Sequence, residues 1–598
     1  MNRKCISKLV VVILTIGLVL NKTPTRTLAV PIDPQQGVTV EKAVLDEIDA
    51  KGRASYWIEF DSDVDLSPAY LLEWNERGWF VYKTLKEHAI ETQAEAISYL
   101  QFTNTTFTSF WIANRILVTN ADRLSLSRSM RLPNVFAITA QREYFLHQPD
   151  VSSTSNQVMY IEPNIAHVQA PEAWSLGYDG TGLVVANIDT GVRYTHDALT
   201  GAYRGNDGAG KYSHDYNWFD PYGTYSAPAD RNGHGTHTMG IMVGNDGGSN
   251  KIGIAPGAEW IACRGCGSYN CGDAELLACA QFIAAPTDLT GANPDPDLRP
   301  NAVNNSWGDC GTTYDPWFAG VIEAWHAAGV YPVFSNGNAS NCGYSSPPGL
   351  NTVGNPARSG NVTGVGSSGQ QDGQYATHSN WGPTDNLDAI NPIDDYEMLK
   401  PQVLAPGIYI RSALNSSNTA YGFMSGTSMS APHVSGLVAL IMQAGPCLVG
   451  NYDVVENIIE STATDIVYDD GSSLTPSNFP NLATGWGEIN ALAAVTSATN
   501  FCNDYGTLIG TVTEDGTIPV EIARIEVTDG SGFSKVTTSK PDGSYQLYLP
   551  SGNYTVSVTK MCHQTSSISG LSVGKQTITT QNFVIEPLYC LILFPIYK

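Results

Sequence analysis

Apolar and polar positions follow different periods along this chain, and the changes of period divide it. Ala54–Phe60, Trp111–Val118 and Val135–Ile138 are short runs rich in β-branched and aromatic residues, which predict strands. Between the first two, Trp79–Leu100 keeps an apolar face at helical spacing. A β-α-β mix is therefore expected in residues 30–157. Beyond residue 158 the runs become continuous. Leu183–Ile188 and Tyr331–Phe334 read as buried parallel strands ending in small polar residues, and Leu437–Met442 as the core of a helix. This α/β block is expected to extend to residue 504. From residue 505 the period is two: Gly506–Thr513, Arg524–Thr528, Ser544–Leu549 and Tyr554–Val558 alternate, with turn residues at Asp542-Gly543 and Ser551-Gly552-Asn553. An all-β domain is expected over 505–587. The apolar tail, 588–598, is too short to span a bilayer.

At the N-terminus, Arg3, Lys4 and Lys8 precede an apolar run of 12 residues, Leu9–Leu20, followed by Thr27-Leu28-Ala29. This pattern predicts a signal peptide over 1–29. Twelve residues are too few for a membrane span, and no later stretch reaches 18, so a secreted, extracellular protein without a membrane span is expected.

Composition sharpens this picture. The 598 residues hold 32 Lys+Arg against 57 Asp+Glu, a net charge of −25. Such a balance argues against a nucleic-acid surface, which needs clustered cations. The acid is concentrated: residues 158–500 hold 10 basic and 32 acidic residues. In an exported chain the 11 cysteines should mostly be oxidised. The cluster Cys263, Cys266, Cys271, Cys279 admits a metal reading, but export favours disulfides. Cys310 with Cys342 is the first expected pair, since both follow motifs that should meet.

Three segments carry candidate chemistry. The strand Leu183–Ile188 ends in Asp189-Thr190-Gly191, placing a carboxylate at the rim of the sheet. Alone, this is a common strand-ending turn. Asp230–Gly235 is a small-residue loop holding His234, with His237 one helical turn on. Two metal-binding histidines are the alternative, but no Glu lies between them. Gly426–Gly436 opens an apolar helix with Ser428 near its start. An N-cap serine is the plain alternative. Pro432 is expected in the first turn rather than the helix interior.

Together the motifs D-T-G, H-G-T-H and G-T-S-M-S-A-P-H occur in the order Asp, His, Ser. In this the chain resembles the subtilisin-like serine proteases (subtilases, peptidase S8), in particular their bacillopeptidase F-like group, over roughly 165–500. The resemblance implies a three-layer α/β catalytic domain and a secreted serine endopeptidase. Ser428 would be the nucleophile, His234 the base and Asp189 the acid that orients it. Asn338, after Gly337, matches the family's oxyanion-hole amide, with Asn336 a nearby decoy. Ser306, Trp307 and Gly308 match the substrate-pairing strand, and Gly354 the far wall of the first specificity pocket. An open pocket taking large apolar or aromatic residues is expected.

The flanks fit the same resemblance. Residues 30–157 are similar to the small α+β inhibitory propeptide of these enzymes, an independent binding domain being the alternative, and Gln148–Gln157 is the expected processing linker. Residues 505–587 resemble a carboxypeptidase regulatory-like β-sandwich. The expected partners are polypeptide substrates and the chain's own propeptide, with a monomer the default state. No cofactor is expected for catalysis. The acidic stretches Gly201–Ala229 and Gly382–Leu399 leave room for structural calcium, although plain solvated loops are the simpler reading.

Overall fold

The computed structural model describes residues 38–588, apart from 63, 72–73, 148, 155–159, 372, 385–398, 467, 469–479, 521–522, 532, 540–541, 561–562 and 576. The expected signal peptide, Cys5, Cys562, Cys590, the acidic residues Asp385–Asp395 and the tail beyond Leu588 lie outside the described residues.

The chain divides into two compact units. One comprises residues 38–61, 92–109 and 115–141. Its sheet runs in the order Thr39–Val40, Val135–Ala140, Arg53–Phe60, Arg115–Asp122, Phe107–Phe110. Alternation along Arg53–Phe60 sends Tyr56, Ile58 and Phe60 into a core with Val44, Ile48, Leu100, Ile116, Val118 and Ile138. The expected strand Trp111–Val118 is shorter than its apolar run. Residues 111–114 form a turn, and the strand begins at Arg115. Asn114 takes a φ of 45°, in the left-handed region that asparagine tolerates better than most residues, so the run breaks there.

The other unit comprises residues 62–91, 110–114 and 142–588. Its centre is a seven-stranded parallel sheet: Val403–Pro406, Thr363–Ser368, Tyr331–Ser335, Ala302–Asn305, Val184–Asp189, Glu259–Arg264, Trp218–Phe219. Each strand is buried along nearly its whole length, as expected for parallel strands covered by helices. The helix Thr427–Ala444 is buried at every position except Gln443. It lies in a core with Val185, Val333, Val365 and Met239. Pro432 sits inside this helix, not in its first turn, because the helix already begins at Thr427. The backbone bond that Pro432 cannot make is replaced by a side chain, described below.

Among the described residues, Cys263–Cys279, Cys266–Cys271, Cys310–Cys342 and Cys447–Cys502 are disulfides. The four-cysteine cluster is thus two disulfides, and Cys310 pairs with Cys342 as expected.

After residue 504 the chain forms two β-sheets. One is built around Tyr505–Glu514 and Ser544–Pro550, the other runs Ser534–Thr538, Arg524–Thr528, Gly552–Thr559, Ser566–Val573. Alternating residues such as Leu508, Val512, Ile525, Val527, Leu547 and Val556 form its own core.

Candidate active site

In chain order, the strand Val184–Asp189 comes first in its sheet yet lies inside it. The next two strands add on one side and the remaining four on the other. Such a reversal leaves a crevice at the carboxyl ends of the strands, and Asp189 ends this strand. The Asp189 carboxylate receives the Thr190 N–H at 2.7 Å and the Thr238 hydroxyl at 3.3 Å. Its two oxygens lie 2.8 and 3.0 Å from Nδ1 of His234. Two acceptors facing Nδ1 place the imidazole proton there and leave Nε2 as the basic nitrogen. Nε2 is buried with no hydrogen-bond partner among the described residues.

His234 is the first residue of the helix His234–Val243. The loop before it is held by Asp230, which sequence reasoning left without a role. Its carboxylate accepts from the Asn232, Gly233 and Thr236 N–H groups and from the Thr190 and Thr236 hydroxyls. Burial pushes the Asp230 carboxyl pKa up, against the opposing pull of the Thr236 and Gly233 bonds. Asp230 thereby ties the end of the Asp189 strand to the start of the His234 helix. His237 packs, as expected: it is buried, with Nε2 3.1 Å from the Ile410 carbonyl oxygen.

Ser428 is the second residue of its helix, where backbone N–H groups still point outward. Its hydroxyl donates to the carbonyl oxygen of His147 at 2.8 Å. The same carbonyl oxygen receives Nδ2 of Asn338, at 3.4 Å. The Asn338 amide is oriented by Thr427, whose N–H and hydroxyl donate to Oδ1 at 2.9 and 3.0 Å. Gly337 turns the chain into Asn338 with a φ of 98°, and a Cβ there would fall 2.6 Å from the Asn380 amide nitrogen. Asn336 is structural: it donates to the Asn380 carbonyl oxygen at 2.8 Å.

The strand Glu143–Leu146 leads into His147. It pairs antiparallel with Asn270–Gly272 on one side and Trp307–Gly308 on the other, with Trp307 opposite Leu146 and Gly308 opposite Phe145. Part of the expected linker is also a strand. Asp150–Thr154 pairs antiparallel with Tyr421–Ser425, the strand that runs into the Ser428 helix.

The His147 side chain is 1% exposed. A Cβ on Gly308 would lie 2.8 Å from its Nε2. Trp307 packs edge-to-face on Tyr144, Phe318 and Phe334. Gly354 backs the strand end, where a Cβ would fall 2.1 Å from the Asp309 carbonyl oxygen. The Ser306 hydroxyl donates to the Ser428 carbonyl oxygen at 3.1 Å.

The model of the subtilase family, peptidase S8, matches residues 180–487. The chain belongs to the subtilase family. A carboxypeptidase regulatory-like domain matches residues 507–586. This subtilase is 34% identical to bacillopeptidase F of Bacillus subtilis over 438 residues, covering 70% of this chain and 29% of the relative. It is 31% identical over 296 residues to a thermophilic serine proteinase of Bacillus sp. strain AK1, covering 49% of this chain and 59% of the relative. The chain therefore spans less than two thirds of either relative. Among solved structures it is similar to fervidolysin of Fervidobacterium pennivorans, with 18% identity and a TM-score of 0.49, covering 89% of this chain and 78% of that one.

In this subtilase two acidic residues of the described loop 201–229 serve local turns, while Asp215 accepts the Leu289 N–H at 2.9 Å. Asp207 accepts the Ala209 and Lys211 N–H groups. Asp220 accepts those of Tyr222, Thr224 and Tyr225 and pairs with Arg264. Among the described residues no group of three or more His, Cys, Asp or Glu is gathered as a metal site. Three site residues lay beyond sequence reasoning besides Asp230: His147, Ser335 and Thr427. The alternation Glu143–Leu146 was a faint signal for the strand that carries His147.

Proposed function

We propose that this chain is an exported serine endopeptidase, made as a precursor that processes itself. One observation carries the reading. A single peptide carbonyl, that of His147, receives both the Ser428 hydroxyl and the Asn338 amide, while Asp189 holds His234 with its basic nitrogen free. In this reading Ser428 is the nucleophile and His234 takes its proton. Asp189 holds the imidazole tautomer and stabilises its charged form. Asn338 and the backbone N–H of Ser428 hold the oxyanion. A substrate binds as an added strand beside Trp307–Gly308, mostly through main-chain hydrogen bonds, so many sequences are accepted. The chain upstream of His147 occupies that strand position and acts as intramolecular inhibitor until cut. The four disulfides suit an oxidising destination.

The test is expression of wild type beside Ser428→Ala. Wild type should cleave unfolded protein, react with a sulfonyl fluoride and lose its N-terminal segment. Equal behaviour of the two proteins in all three assays would sink the reading.

A further inference from the structure

Sequence reasoning led to an open pocket for apolar residues, but a histidine fills it. His147 is almost completely buried, and its Nδ1 lies 2.7 Å from the hydroxyl of Ser335. Ser335 ends the strand Tyr331–Ser335, three residues before Asn338, and is itself fully buried. The ring is boxed on its other edge. A Cβ on Gly308 would lie 2.8 Å from Nε2, and one on Gly337 3.7 Å from it. The pocket is therefore closed around an imidazole and carries one hydroxyl aimed at one ring nitrogen.

The backbone on both sides is aligned for cleavage at this residue. Glu143–Leu146 is held as a strand before it and Asp150–Thr154 as a strand after it. The carbonyl between them is the one that meets Ser428 and Asn338.

We infer that the precursor cuts itself after His147, and that the Ser335 hydroxyl makes histidine a preferred residue ahead of the cut in other polypeptides. This rests on the endopeptidase reading above. Ser428 Oγ adds to the His147 carbonyl carbon while its proton passes to Nε2 of His234. The bond to the nitrogen of the next residue, Gln148, then breaks as His234 returns the proton to that amine. A water molecule, deprotonated by His234, hydrolyses the ester, releasing the His147 carboxylate and the Ser428 hydroxyl. Ser335 does not touch the reacting atoms; it is a specificity residue. An apolar side chain in the pocket would leave its buried hydroxyl without a partner, and sites built to hydrogen-bond a substrate discriminate strongly on that ground.

Two measurements test this. Mass spectrometry of the first N-terminal fragment released by the full-length precursor should find His147 as its last residue, and Ser428→Ala should release none. A first fragment ending elsewhere overturns the assignment. Then kcat/KM is compared for two peptides spanning 143–152, one with His and one with Phe at position 147. Histidine should be favoured, and Ser335→Ala should reduce that ratio by about tenfold. An unchanged ratio overturns the role of Ser335. The ratio is taken within one protein, so a general loss of folded enzyme does not move it. Labelling by a sulfonyl fluoride separates the two levels. A labelled enzyme that cuts elsewhere leaves the endopeptidase reading standing, whereas no labelling removes its foundation.

Discussion

Thr427 points the Asn338 amide. Both its N–H and its hydroxyl donate to Oδ1, so Nδ2 is left facing the His147 carbonyl oxygen. Because Thr427 immediately precedes Ser428, the Ser428 hydroxyl and the Asn338 amide are both set by one helix start. Asn338→Ala should lower kcat by about 10²–10³-fold with little change in KM, since the donor matters most once charge has developed on the oxygen. Thr427→Val should lower kcat less, because the amide can still rotate into place. Steady-state kinetics on a peptide substrate checks both.

Asp230 reaches the imidazole only through the backbone. Five donors converge on its buried carboxylate, from both segments that carry Asp189 and His234. Removing it leaves buried donors unpaired. Asp230→Ala should cost about 2–3 kcal/mol of stability. It should also lower kcat by about 10²-fold through misplacement of His234. Asp230→Asn keeps an acceptor and should lose less of both. Denaturant midpoints and kcat, measured on the same preparations, separate the two effects.

These two residues show where sequence reading stops. Asp189, His234, Ser428 and Asn338 stand in short motifs with glycine and small neighbours, and the structure pairs Asp189 with His234 and brings Ser428 and Asn338 to one carbonyl oxygen. The strand Arg524–Thr528 was legible because burial on one face imposes a period of two, and Arg53–Phe60 from its aromatic and β-branched run. Asp230 was visible in its motif, but its role depends on a Thr190 that is 40 positions away. His147 lies 281 positions from Ser428, one residue before the polar stretch that reads as linker. Ser335 reads as one more residue of an apolar strand until His147 is placed beside it. Long-range pairing of this kind leaves no local period to detect.

Docking of His147 should depend on pH. Burial, and then the nearby His234, lower its pKa from 6.5 to about 3, so the docked ring is neutral. The sign follows. A group whose docked pKa is depressed binds fully above its free pKa and weakens as pH falls below it. A peptide amide of residues 142–147 should therefore inhibit the processed wild-type enzyme with constant strength above about pH 6.5. Below that it should lose up to about tenfold per pH unit, the loss continuing toward pH 3. Other effects of pH on the protein act on both peptides alike, so the measured quantity is the affinity ratio to the same peptide carrying Phe at position 147. A ratio flat between pH 7 and 5 would show that docking does not lower the ring's pKa.

Ser306 and Pro432 form the last testable pair. Pro432 has no N–H, so it cannot bond the carbonyl four residues back, which is that of Ser428. The Ser306 hydroxyl donates to that oxygen instead, and is itself fixed by an N–H of Asn304 at 3.0 Å. The proline thus frees the Ser428 carbonyl to be held by Ser306. Ser306→Ala should cost about 1–2 kcal/mol and lower kcat, because a buried carbonyl loses its donor. In a Pro432→Ala background the new N–H can take the same carbonyl as an ordinary helix bond. There the cost of Ser306→Ala should shrink by at least half. A double-mutant cycle on denaturant midpoints measures this coupling, and purely additive effects would show that the two residues act independently.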